Sequence, residues 1–303
     1  MTGLVDALTG ISGILVTPFD DGDRIAPARL QPIIDRALEA GMHIPVVNGN
    51  TGEFYALTVD EAEVMSREVV AMVAGRAPVL AGIGRSVGDA CRLARAAVEA
   101  GAAGLMVHQP PDPFAAPRGV VDYVSRIAEA GQGLPLMLYL RNDAIGTAAI
   151  ADLCAIPGVV GVKWATPNPQ RLAEAIAACD PSVIWVGGLA EVWAPALYAV
   201  GARGFTSGLI NLWPERSLAI HAALEAGDFG QARALIADMA AFEDVRAQEL
   251  NGTNVTGVKA ALQALGQDCG ATRPPAAWPL TAAQQAQMQD FLQRNGLLRE
   301  SVN

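Results

Sequence analysis

Lysine is almost missing from this chain. Of its 21 basic side chains only Lys163 and Lys259 are lysines, and the other 19 are arginines. No run of basic residues occurs, and the net charge of -10 with a pI near 4.8 argues against nucleic acid, whose phosphates call for clustered cations. Apolar stretches are broken by Gly, Pro or charge before they reach the roughly 18 residues of a membrane span, so no membrane partner is expected. Met1 to Gly10 carries Asp6 and no basic residue. It thus lacks the positive start of a secretory signal, and a cytoplasmic protein is expected. The four cysteines, Cys91, Cys154, Cys179 and Cys269, form no CxxC pair, and His43, His108 and His221 form no HxH or HExxH. No metal or redox centre is therefore expected, and no cofactor is among the expectations.

What the chain has in quantity is apolar sequence, 51% over 303 residues, enough for one large core. One unit recurs. Ala37–Gly41 leads into Ile44–Val47, Ala97–Gly101 into Leu105–Val107, Ala128–Gly131 into Leu136–Tyr139, and Leu197–Gly201 into Phe205–Thr206. Each reads as a helix closed by a left-handed glycine and followed by a short buried strand. Further strands at Ile14–Thr17, Val79–Gly82, Val159–Lys163 and Val183–Gly187 bring the total to eight. Helical periodicity over Asp60–Val73 and Asp89–Ala100 separates neighbouring strands. Parallel strands alternating with helices predict an α/β fold, a (β/α)8 TIM barrel. An open doubly wound sheet ranks lower because no GxGxxG follows the first strand. Helices at Leu218–Leu224, Phe229–Ala241, Val255–Leu265 and Ala282–Leu292 follow. The predicted division is a barrel over residues 1–226 and a C-terminal helical extension over 227–303.

Active sites of such barrels lie where the strands end. Lys163 closes the β-branched run Val159-Val160-Gly161-Val162. A desolvated lysine loses its proton more readily and becomes a nucleophile toward carbonyls, whereas arginine stays protonated. Codon bias and a snorkelling surface lysine are the plainer explanations. Tyr139, at the neighbouring strand end, suits proton transfer, or else is a core aromatic. The Gly49–Glu53 turn offers Asn50, Thr51 and Gly52 as a carboxylate cradle, or is an ordinary βα turn with a capping threonine. Thr17, Arg141, Gly188 and Ser207, at or just beyond other strand ends, complete the substrate-binding candidates.

These segments resemble the dihydrodipicolinate synthase and N-acetylneuraminate lyase family. Gly49-Asn50-Thr51-Gly52-Glu53 is similar to its GTTGE loop, Tyr139 to its YN tyrosine, and Gly161-Val162-Lys163 to its GIK lysine. The resemblance implies a covalent imine between Lys163 and a pyruvate-like 2-oxo acid, proton transfer by Tyr139, no metal, and a homotetramer or homodimer. Three departures argue against lysine-biosynthetic activity. Asn50 replaces the relay threonine, Pro111 stands near the place of a tyrosine lent by a neighbouring subunit, and Ala144 replaces a carboxylate-binding arginine. Gly52–Leu57 and Tyr139–Ala144 are more similar to 5-dehydro-4-deoxyglucarate dehydratases. Leu140 and Trp164 depart from that pattern and imply a less polar pocket beyond the imine. The expected function is Schiff-base dehydration or retro-aldol cleavage of a hydroxylated 2-oxo acid. The synthase activity and a non-catalytic 2-oxo acid binder are the alternatives.

Overall fold

A computed structural model of the chain describes residues 3–298. Eight strands, β1 (Ile11–Ile14), β2 (Ile44–Val47), β3 (Leu80–Ile83), β4 (Gly104–His108), β5 (Leu136–Leu140), β6 (Val159–Trp164), β7 (Ile184–Gly187) and β8 (Gly204–Ser207), pair in parallel. Because β1 bonds both β2 and β8, the sheet is closed, which excludes the doubly wound alternative. A one-turn helix, α1 (Leu4–Ala7), precedes the barrel. Around it run α2 (Gln31–Ala40), α3 (Val59–Val73), α4 (Val87–Ala100), α5 (Pro117–Ala130), α6 (Thr147–Cys154), α7 (Pro169–Ala178), α8 (Ala190–Tyr198) and α9 (Pro214–Glu225). The C-terminal region adds α10 (Phe229–Arg246), the single turn α11 (Gln248–Asn251), α12 (Asn254–Ala264) and α13 (Ala282–Arg294). A short turn separates α9 from α10.

Local chemistry sets the helix ends. Thr58 and Glu61 form a capping box at the start of α3, and Thr281 and Gln284 form another at α13, each satisfying two otherwise orphan amides. Gly41 and Gly101 end α2 and α4 in the left-handed conformation, at φ 108° and 82°. Gly131 does not: α5 ends with it at φ -76°, and the left-handed turn passes to Gln132 and Gly133.

Strand alternation sorts the apolar side chains into two layers. Ile14, Ile44, Val46, Leu80, Met106, Met137 and Val186 fill the barrel interior, with Leu4 and Leu8 sealing its N-terminal end. The outer layer joins the barrel to its helices and includes Trp164 and Trp185, whose rings meet edge-on at 6.2 Å. Trp164 thus faces away from the cavity, correcting the expectation that it makes the pocket less polar. The first strand is also displaced from its predicted span. After Leu15 N donates to Val46 O, the chain leaves the ladder, and Val16 N donates to the Asn211 side chain instead. Leu15–Thr17 is therefore extended chain outside the sheet.

Candidate active site

At the C-terminal mouth of the barrel lies a cavity of about 860 Å³ lined by Ile14, Asn50, Thr51, Tyr139, Arg141, Lys163 and Gly188 together with residues of α8, α10 and α12. Register explains why its reactive groups meet. His108 on β4 is level with Tyr139 on β5, which is level with Lys163 on β6. The Lys163 side chain is 3% exposed, and its Nζ stands 3.8 Å from the centre of the Tyr139 ring. Among the described residues it has no carboxylate partner. Burial, aided by the positive charge of Arg141, pushes its pKa down to about 7, because the ammonium loses hydration that no carboxylate replaces. Gly188 gives this side chain room, since a Cβ there would lie 3.0 Å from Lys163 Cγ.

The other lysine is held differently. Lys259 Nζ lies 2.6 Å from Glu53 Oε1, donates to Ala271 O at 3.0 Å and stands 4.3 Å from the centre of the Phe19 ring. Its amine is a buried structural cation, and Lys163 is the lysine that lines the cavity.

Asn50 Nδ2 donates to the Tyr139 hydroxyl at 2.9 Å. Burial pushes the Tyr139 phenol up to about 12, so it holds its proton at neutral pH. Asn50 thus reaches Tyr139 directly from the turn that follows β2. The turn before it is tight. Gly52 N donates to Gly49 O, Glu53 N to Asn50 O and Phe54 N to Gly49 O. These bonds leave the Asn50 and Thr51 amides unused within the turn, next to the Thr51 hydroxyl, as anion donors. Gly52 serves the turn itself, because a Cβ there would meet Leu15 O at 2.9 Å.

Two further expected substrate contacts turn out to be scaffold. The Thr17 hydroxyl donates to Gly52 O at 2.7 Å, using both groups within the structure. Ser207, which donates to Glu191 Oε1 at 2.5 Å and sits 3.0 Å from Ser217 Oγ, faces the helix layer. Arg141 does line the cavity, and its guanidinium pairs with no carboxylate among the described residues.

Other groups hold the turn from outside the predicted set of substrate contacts. His108 is fully buried, stacks on Phe54 at 4.4 Å and places Nε2 2.9 Å from Asn48 O. Burial lowers its pKa to about 3, so a neutral ring supports the turn from beneath. Glu53 also accepts from Arg273 N at 2.8 Å, a partner 220 residues away. The repeated helix-strand unit, which points only to neighbours, could not reveal such a pairing.

The chain matches the dihydrodipicolinate synthetase family over residues 7–295. It belongs to that family. A solved dihydrodipicolinate synthase from Bacillus clausii superposes with a TM-score of 0.93 at 35% identity, covering 97% of this chain and 99% of that one. A Streptomyces avermitilis protein named probable 5-dehydro-4-deoxyglucarate dehydratase 2 is 32% identical, over 90% of this chain and 83% of its own length. A Methanoculleus marisnigri 4-hydroxy-tetrahydrodipicolinate synthase is 31% identical, over 88% and 92%. Membership of the dihydrodipicolinate synthetase family makes this protein a lyase of the lysine Schiff-base class.

Proposed function

We propose that the protein dehydrates a hydroxylated 2-oxo acid of the 5-dehydro-4-deoxyglucarate type, with Lys163 forming the imine and Tyr139 carrying protons. The observation that carries this reading is the Lys163 amine, buried without a carboxylate and pushed down to about 7, against a protonated phenol at the base of the cavity. Neutral Lys163 attacks C2 while the substrate carboxylate rests on the Asn50 and Thr51 amides. Tyr139 donates a proton so that water leaves and the imine forms. The protonated imine draws electrons from C3. C3 loses a proton, and the resulting electron pair expels the C4 hydroxyl, which departs as water once protonated. Hydrolysis of the imine restores the amine.

Several observations favour a dehydratase over the synthase. Relatives carrying the dehydratase name match most of the chain. Asn50, Pro111 and Ala144 stand where the synthase relay and carboxylate arginine belong. Arg141, unpaired and lining the cavity, suits a second carboxylate on the substrate. The synthase stays as the second reading, because the relative from Methanoculleus marisnigri carries that name.

Borohydride treatment with pyruvate, followed by peptide mass analysis, should place the adduct on Lys163. Assays run in parallel should show loss of 5-dehydro-4-deoxyglucarate and negligible condensation of pyruvate with aspartate semialdehyde. Adduct on Lys259 alone would overturn the site, and efficient condensation without dehydration would restore the synthase. A homodimer or homotetramer in the cytoplasm belongs to the same proposal.

A further inference from the structure

The cavity has a second polar wall that imine chemistry does not use. It comes from the end of α10 and the start of α12, where Glu243, Asp244, Arg246 and Asn254 line the same space as Lys163. Arg246 is only 4% exposed, a depth at which an arginine needs partners. Nε donates to Asn254 O at 3.1 Å, Nη2 to Asn254 Oδ1 at 3.0 Å, and Nη1 pairs with Glu243. The end of β8 is shaped around this group, since a Cβ on Gly208 would fall 2.5 Å from Nη2. Three of five guanidinium N–H bonds are thereby used, leaving two on a side chain that borders the substrate space.

We infer that Arg246, with Glu243 and Asn254, is a specificity-determining subsite that binds hydroxyl groups on the far carbons of the substrate. This rests on the function proposed above. Ion pairing with Glu243 removes the net charge of the arginine and leaves N–H donors beside carboxylate acceptors. A hydroxyl both donates and accepts, so it matches this wall. A carboxylate does not, because the Arg246–Glu243 pair offers it no net positive charge and Asp244 on the same wall would repel it. The unpaired Arg141 is the better partner for that charge, so the two arginines divide the work by their neutralisation rather than by residue type.

Two variants test the assignment. Arg246→Lys keeps the ion pair with Glu243 but loses the planar fork of donors. Gly208→Ala leaves Arg246 in place and displaces its guanidinium, and the backbone at 208, with φ -90°, accepts an alanine. Each should raise KM for 5-dehydro-4-deoxyglucarate about tenfold or more, the scale of one lost charge-assisted hydrogen bond, with a smaller change in kcat. Half-saturating concentrations for borohydride trapping of pyruvate and 2-oxoglutarate, which lack those hydroxyls, should stay within about twofold of the unaltered protein. If 2-oxoglutarate weakens as much as the hydroxylated acid, Arg246 is a carboxylate clamp and the inference is overturned. If KM is unchanged in both variants, the subsite is overturned while the parent reading stands. Failure of the unaltered protein to trap pyruvate would overturn both.

Discussion

At the residue scale the protein is governed by what lies next to two amines. Lys163 lacks a counter-charge, and its pKa of about 7 predicts that pyruvate trapping at subsaturating concentration rises with pH through about 7 and then levels off. A stopped pH series read by intact mass is the check. The same shift has a stability consequence. Between about 7 and the ordinary 10.5 the unfolded chain binds more protons than the native one, so stability rises with pH across that window, and the burial penalty is full below it. Lys163→Met should therefore abolish trapping yet raise stability by about 1–2 kcal/mol at pH 6, measured by urea unfolding. Lys163→Arg should lose stability, since it buries a permanent cation without a partner. For Tyr139→Phe a loss of about 100-fold or more in kcat is expected from removed proton transfer, and near-normal turnover would leave Tyr139 a packing residue. Lys163, Tyr139 and Gly188 were placeable from sequence because they lie at or just beyond the ends of adjacent strands. Thr17 and Ser207 were misplaced because lying near a strand end does not say which way the side chain turns.

At the element scale, α12 and the loop before α13 brace the Gly49–Glu53 turn. Glu53 has two partners there, the Lys259 amine and the Arg273 backbone. Lys259→Met strands a carboxylate whose side chain is 3% exposed, and breaking such a pair costs about 3–5 kcal/mol. Thermal melts should show a clear drop, and replacing Glu53 by Gln in the same chain should recover part of it. A full-size loss in the double variant would show that packing, not charge, holds the turn. The barrel itself was legible because helix, glycine and strand recur with regular spacing. The end of β1 was not, since the apolar run Ile14-Leu15-Val16 continues past the point where the ladder stops. Only the position of Asn211 decides that. The partners Lys259 and Arg273 lie more than 200 residues from the turn they support, beyond the reach of any local pattern.

On the scale of the whole molecule, the C-terminal helices are part of the cavity wall. A chain ended after residue 226 removes Arg246, Lys259 and Arg273 together, and should fail to trap pyruvate even where circular dichroism still shows helix and sheet. Retained trapping would make the extension dispensable for the imine. Among the described residues no helix is long and apolar enough to cross a membrane. The burial of both lysines gives this chain an unusual reactivity toward acylating reagents. In the folded protein an amine-selective ester meets no lysine on the surface of the described residues. Lys163 is reached only through the cavity, where its modification competes with any bound 2-oxo acid, and Lys259 is reached only after the fold opens. Two peptides in one digest would then serve as separate clocks, one timing occupancy of the barrel mouth and the other timing unfolding of the chain.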